Sequence, residues 1–170
     1  HLSAAAVQAL DQRCRLAPRG RPLPTRAEDR CADELLAIAR DGRTSDGEAA
    51  FHDWDRRYMK PTAALMAELH WGQSPDESRT LASRAIDAAL AEPVGATQVV
   101  GTTEVPAWIR IYEPMRDLAE TLTANGFEVW VVSASPQTVV EAIAPRVGIP
   151  PERVIGVRLA ANPASGILDP

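Results

Sequence analysis

Lysine is nearly missing from this chain. Lys60 is the only one, and the rest of the 18 basic residues are arginines. Aromatic residues are also scarce, at 5%. No apolar run approaches the roughly 20 residues that a membrane helix needs, so no membrane partner is expected. Basic clusters with interleaved aromatics are absent, and the formal net charge is −5. Both features argue against nucleic acid as a partner. The opening "HLSAAAVQAL" has small apolar residues but neither a basic leader nor a long apolar stretch, so it does not read as a signal peptide. The chain begins at His1 rather than Met, as expected of a processed form or a fragment. What remains is a 170-residue chain, 45% hydrophobic and 24% charged. That is the balance of a soluble globular protein, with length for one domain or one domain carrying an inserted lobe.

There are only two cysteines, Cys14 and Cys31. They flank "RLAPRGRPLPTRAEDR", which is rich in proline and arginine. Two readings stand side by side: two unpaired small hydrophobes in a cytoplasmic protein, or one disulfide closing the loop in an exported protein. Two cysteines without a histidine at ligand spacing make a poor metal site.

The first ninety residues read as helices. Thr25 with Glu28, Ser45 with Glu48, and Ser74 with Glu77 each have the spacing of a capping box, in which hydroxyl and carboxylate satisfy the free amides of a first turn. Pro75 fits the first helical position of the last of these. Apolar residues follow at helical spacing: Leu35, Leu36, Ile38 and Ala39, then Leu81, Ala85, Ile86 and Leu90. Another helix is expected from Thr62 to His70, after Pro61. Gly42 and Pro93 read as stops.

After Pro93 the character changes. "VGATQVVGTTEVPAW" reads as a turn-rich connector. "EPMRDLAETLTANG" reads as a helix with Met115, Leu118, Ala119 and Leu122 on one face and Gly126 as its C-terminal cap. "FEVWVVS" is nearly continuously apolar, the pattern of a strand buried on both faces, with Trp130 in the core. "SPQTVVEAIAPRVG" reads as a helix and "RVIGVRL" as a second buried strand. "NPASGILDP" reads as a turn leading into a short strand. Helix, strand, helix, strand from about residue 114 is half of a doubly wound parallel sheet. The expected class is therefore α/β, with residues 1–106 as a separate helical lobe and 107–170 as a partial α/β core.

In open parallel sheets ligands bind beyond the carboxyl ends of the strands. Ser133 stands at such an end. Ser135 is placed to cap the next helix, with Pro136 at its first position. Two roles are open to these serines: capping alone, or a phosphate seat made of a hydroxyl and first-turn amides.

Together, "EPMRDLAETLTANGFEVWVVSAS", "VGIPPERVIGVRL" and "SGILDP" resemble the haloacid dehalogenase superfamily, and within it the phosphoserine phosphatase-like and phosphorylcholine phosphatase-like members. The resemblance covers about Ala107 to Pro170, and the helical lobe in outline, as the cap inserted in such enzymes. It implies a Rossmann-like core. The implied activity is a Mg²⁺-dependent phosphomonoesterase that cleaves a small phosphorylated substrate through an aspartyl phosphate. The transferring group is anionic, so donors and cations must converge on it. By position, the resemblance implies that Ser133 is the hydroxyl donating to a phosphate oxygen and that Ala134 offers a backbone amide, with Ser135 close by.

The sequence departs from this family in three places. No Asp-x-Asp nucleophile motif follows a hydrophobic strand. Asp53 and Asp55 have the spacing, but they follow "EAAFH" and precede Arg56 and Arg57, and read as a solvated helix face. No lysine follows Ser133, and the only acids after it are Glu141, Glu152 and Asp169. The chain is thus expected to be an internal piece, inactive alone, of an active parent. The Mg²⁺ ligands are expected to lie outside it.

Substrate choice in this family rests largely on the cap, where Trp54, Tyr58 and Trp71 are the candidates for holding a choline-like cation. Packing in the core is the alternative for each. Trp108 and Tyr112 lie beside the connector. His52 and His70 lack partners at ligand spacing and read as structural. Two other classes of function are compatible with this sequence. A nucleotide- or cofactor-binding α/β domain predicts a glycine-rich first turn, which "SASP" lacks. A non-catalytic helical interaction module with a degenerate α/β half predicts a parent gene without the two-aspartate motif.

Overall fold

The computed structural model describes residues 2–14, 23–25, 29–52, 60–166 and 168–169. The fold is mixed α/β, with helices and small two-stranded sheets, one of them parallel. The chain falls into two compact units, one of residues 1–72 and 97–106, the other of 73–96 and 107–170. The chain does pass from one unit to the other after residue 106, but it also crosses after residues 72 and 96. Residues 73–96, read above as the end of the helical lobe, belong to the α/β unit.

The first unit contains α1 (Ala4–Cys14), α2 (Asp29–Asp41), α3 (Pro61–Glu68) and a hairpin of β1 (Thr97–Val100) and β2 (Thr103–Pro106). Its core is small: Ala6, Ile38, Ala50 and Leu65, with Leu2, Leu10 and Phe51 against them. A core of so few residues buries little apolar area, so polar and covalent ties matter more here. Cys14 and Cys31 supply one of them, a disulfide that ties the end of α1 to the first turn of α2. Gly42 ends α2 with φ of 66°, as the sequence suggests. The connector read from "VGATQVVGTTEVPAW" holds the hairpin. Asp33 of α2 clamps its turn, accepting from the Thr102 amide at 2.9 Å and the Thr102 hydroxyl at 3.0 Å.

Ser45 and Glu48 do not start a helix. Arg43 and Ala49 form an antiparallel bridge around a tight turn, and Gly47 takes a left-handed φ of 91°. The Ser45 hydroxyl and amide, which a capping box would use, both donate to Glu34. The boxed Glu28, and Asp53, Asp55, Arg56 and Arg57, lie outside the described residues.

The second unit opens with α4 (Pro75–Ala91). Its capping box forms as read: the Glu77 amide donates to the Ser74 hydroxyl at 3.2 Å, and the Ser74 amide donates to the Glu77 carboxylate at 2.8 Å. These bonds hold the Glu77 carboxyl below its ordinary pKa, the amide contributing most. The stripe that α4 buries is Ser78, Ala82 and Ile86. Of the apolar residues read at helical spacing, Ile86 is buried while Leu81 and Ala85 are exposed. Small residues on this stripe let α6 (Gln137–Ile143) approach closely, and Ser78 and Thr138 share a buried hydrogen bond of 2.7 Å. Arg79 reaches Glu141 at 2.9 Å.

Between them, α5 (Glu113–Ala124) leads into β3 (Val131–Pro136), and after α6 two 3-10 turns lead to β4 (Val154–Val157). β3 and β4 pair in parallel across the α6 crossover. Ala119, Val140, Ala144, Ile149 and Val154 form the core, with Val129, Val131 and Val147 packed on it. Gly126 and Gly148 close α5 and the first 3-10 turn with left-handed φ. β5 (Ala160–Ala161) and β6 (Leu168–Asp169) pair antiparallel around the turn expected after Asn162, whose side chain accepts from the Ala164 amide.

The strands are not buried on both faces. Val132 is 76% exposed and its parallel partner Ile155 is 47% exposed. Trp130, the residue before β3, is half exposed, not core. Met115 and Leu118 are exposed too, leaving Ala119 as the buried residue of α5. The reason is that α6 packs on one face of the β3–β4 pair only, so alternate strand residues meet the core and the others do not.

Candidate functional site

The register of the parallel pair breaks where the candidate serines lie. Val132 pairs with Ile155, and the next pair is Pro136 with Val157. Three residues of β3, Ser133, Ala134 and Ser135, therefore stand opposite the single residue Gly156. Such a bulge bends a strand and re-aims its side chains, and bulges are over-represented beside functional sites. This one lies at the carboxyl end of β3, where a parallel sheet presents its ligands.

Within the bulge the Ser133 hydroxyl accepts the Ser135 amide at 3.1 Å. That bond fixes the Ser133 side chain and turns its own proton away from the amide, available to an anionic acceptor. It also takes the Ser135 amide away from any ligand. Ser135 is not the helix cap: Pro136 occupies that position, with φ −54° and ψ 136° and no side-chain cap bond. The ladder contact of Pro136 with Val157 keeps Ser135 extended and delays the helix by one residue. With seven residues and a proline before it, α6 offers less from its N-terminus than the sequence suggested. Ser133 is partly buried, while Ala134 and Ser135 are exposed.

Two residues that the sequence reading passed over hold this segment. The side chain of Gln137 spans to β4. Its Nε2 donates to the Val154 carbonyl at 3.0 Å and to Glu141 at 2.7 Å, and its Oε1 accepts the Gly156 amide at 2.6 Å. Gly156 has no space for a side chain: a Cβ there would stand 2.8 Å from Gln137 Cα and 2.9 Å from the Ser135 carbonyl oxygen. A lone glycine inside a strand pattern is a known sign of close backbone approach, so "VIGV" carried this signal. Gly156→Ala is expected to cost about 1–3 kcal/mol as overpacking against backbone. A urea unfolding midpoint equal to that of the unchanged protein would refute this.

Of the aromatic candidates, Trp54 and Tyr58 lie outside the described residues. Trp71 follows α3 in the first unit, half exposed. Trp108 stacks under Arg110, whose guanidinium carbon is 5.6 Å from the ring centroid, and Tyr112 is exposed.

The donor set at the bulge is hydroxyl, amide and carbonyl, with no carboxylate. Mg²⁺ is held through carboxylates and substrate phosphates, so these residues do not by themselves fit the ion. Among the described residues no group of three or more His, Cys, Asp or Glu could hold a metal. Nor, among them, is any helix long and apolar enough to cross a membrane. No family model matches the chain, and no curated protein matches it.

Proposed function

We propose that this chain is the cap and part of the core of a haloacid dehalogenase-like phosphatase, in which the bulge at the end of β3 seats the phosphate of a small phosphomonoester. The observation that carries the reading is the bulge itself, with the Ser133 hydroxyl fixed at the ligand end of a parallel strand. Ser133 would donate to a phosphate oxygen, and the exposed Ala134 would offer its amide. A doubly wound sheet in the parent would cover the bare Val132 and Ile155 face, since parallel sheets are covered on both faces. The nucleophilic aspartate, the lysine and the Mg²⁺ ligands would be supplied by other parts of the parent. The isolated chain is accordingly proposed to be inactive. The Cys14–Cys31 disulfide favours an oxidising compartment for the parent.

The coding sequence on both sides of this chain is the first test. An Asp-x-Asp motif upstream and a lysine with an acidic pair downstream are expected, and the reading fails if neither is there. The second is a phosphatase assay of the parent with and without Mg²⁺. Ser133→Ala should lower turnover about ten- to a hundredfold, the worth of a hydrogen bond to a charged group. Unchanged turnover would remove Ser133 from the site.

A further inference from the structure

We infer that Gln137 is a positioning residue for the Ser133 seat, acting as a side-chain substitute for the ladder bonds that the bulge removes. An uninterrupted parallel pair would satisfy the Gly156 amide from the backbone of its neighbour. Here three residues oppose Gly156, and the Gln137 Oε1 takes that amide instead, at 2.6 Å. The same amide group donates from Nε2 to the Val154 carbonyl at 3.0 Å, two residues back on β4. One planar side chain thus bridges both sides of the gap in the ladder. Gln137 is also the first residue of α6, so the bridge sets where the bulge must end.

The bridge is itself braced. Gln137 Nε2 donates to Glu141 one helical turn on, and Glu141 accepts from Arg79 of α4 at 2.9 Å. Gly156 brings β4 into backbone contact with Ser135 and Gln137, which leaves the bulge no way to relax toward β4. Only a side chain with both an acceptor and a donor at its tip serves both bonds, and glutamine has that pair. Leucine would abolish both bonds at similar volume. Glutamate would keep an acceptor for Gly156, lose the donor to Val154 and face the Glu141 carboxylate.

This inference rests on the phosphatase reading for its catalytic consequence but not for the bridge itself, and the test separates them. Amide hydrogen exchange is measured on the 170-residue chain and its Gln137→Leu and Gln137→Glu variants. In Gln137→Leu the Gly156 and Ser135 amides should exchange about tenfold faster, the equivalent of one lost hydrogen bond. In Gln137→Glu the Gly156 amide should keep more of its protection than in Gln137→Leu. Unchanged exchange at both amides in Gln137→Leu would overturn the inference. If that variant does not fold, the inference stands or falls on Gln137→Glu, where Ser135 should still exchange faster. In the parent enzyme, Gln137→Leu should lower kcat about tenfold with KM little changed, because the seat is misplaced rather than removed. A kcat that survives once the bridge is broken would also overturn it. An unchanged parent with no phosphatase activity would sink the phosphatase reading, and the exchange result would still decide the bridge.

Discussion

Replacing Glu34 with alanine should lower the stability of the first unit by about 3–5 kcal/mol, the cost of breaking a buried ion pair by removing one partner. Glu34 lies on the same face of α2 as Cys31 and Ile38, and its side chain is fully buried. It pairs with Arg13 of α1 and accepts from both the amide and the hydroxyl of Ser45, at 3.1 and 2.6 Å. A single carboxylate therefore holds α1, α2 and the turn after α2. Without it, Arg13 and the Ser45 amide lose their partner beside a small apolar core. Arg13 is partly exposed and also pairs with Asp46 at 2.6 Å, so it can recover some of its loss. Arg13→Met should cost as much or more, since it leaves the wholly buried charge alone. The double change, Arg13→Met with Glu34→Leu, should recover most of the loss, because apolar replacement of a buried pair is often neutral. Urea unfolding of the four proteins gives the coupling energy directly. A Glu34→Ala cost within about 0.5 kcal/mol, the range of an ordinary surface change, would mean that the pair is not a tie.

Glu34 also shows where sequence reading stopped. The capping box at Ser74 could be read because all its partners lie within three residues. The pattern at Ser45 is the same, yet there the hydroxyl is captured by a carboxylate eleven residues upstream, and Gly47 turns the chain out of the helical region. Local pattern gives the propensity, and a long-range partner decides. The clamp of Asp33 on Thr102 has the same character, joining residues 69 apart. The apolar run around Trp130 gave a strand, and a strand is there from Val131. Its composition does not reveal that α6 covers one face alone. At the candidate site, Ser133 and its place at a strand end were readable from the strand-to-helix transition. The bulge was not, because it depends on which β4 residue stands opposite. Gly156 carried the one sequence signal of that close approach, and Gln137 carried none.

Reducing the Cys14–Cys31 bond, or replacing both cysteines with serine, should cost the first unit about 3 kcal/mol, the value for a closed loop of this size. Cys14 ends α1 and Cys31 lies in the first turn of α2, seventeen residues apart in sequence and 4.5 Å apart between Cα atoms. Both side chains are fully buried. Cutting the bond frees the ends of the two helices that carry the neighbouring ion pair, for Arg13 immediately precedes Cys14 and Glu34 lies three residues after Cys31. The disulfide and the salt bridge therefore hold the same helix junction from adjacent positions. Their losses should not add: in the serine variant, Glu34→Ala should cost less than it does in the bridged protein, because the junction it holds is already loosened. Thiol titration of denatured, unreduced protein should find no free thiol, and two free thiols would refute the bond. If the thiols are absent but reduction leaves the melting temperature unchanged, the loop is not what the bond restrains. A fall of about 10–20 °C, expected for a loss of this size in a unit this small, would show that it is.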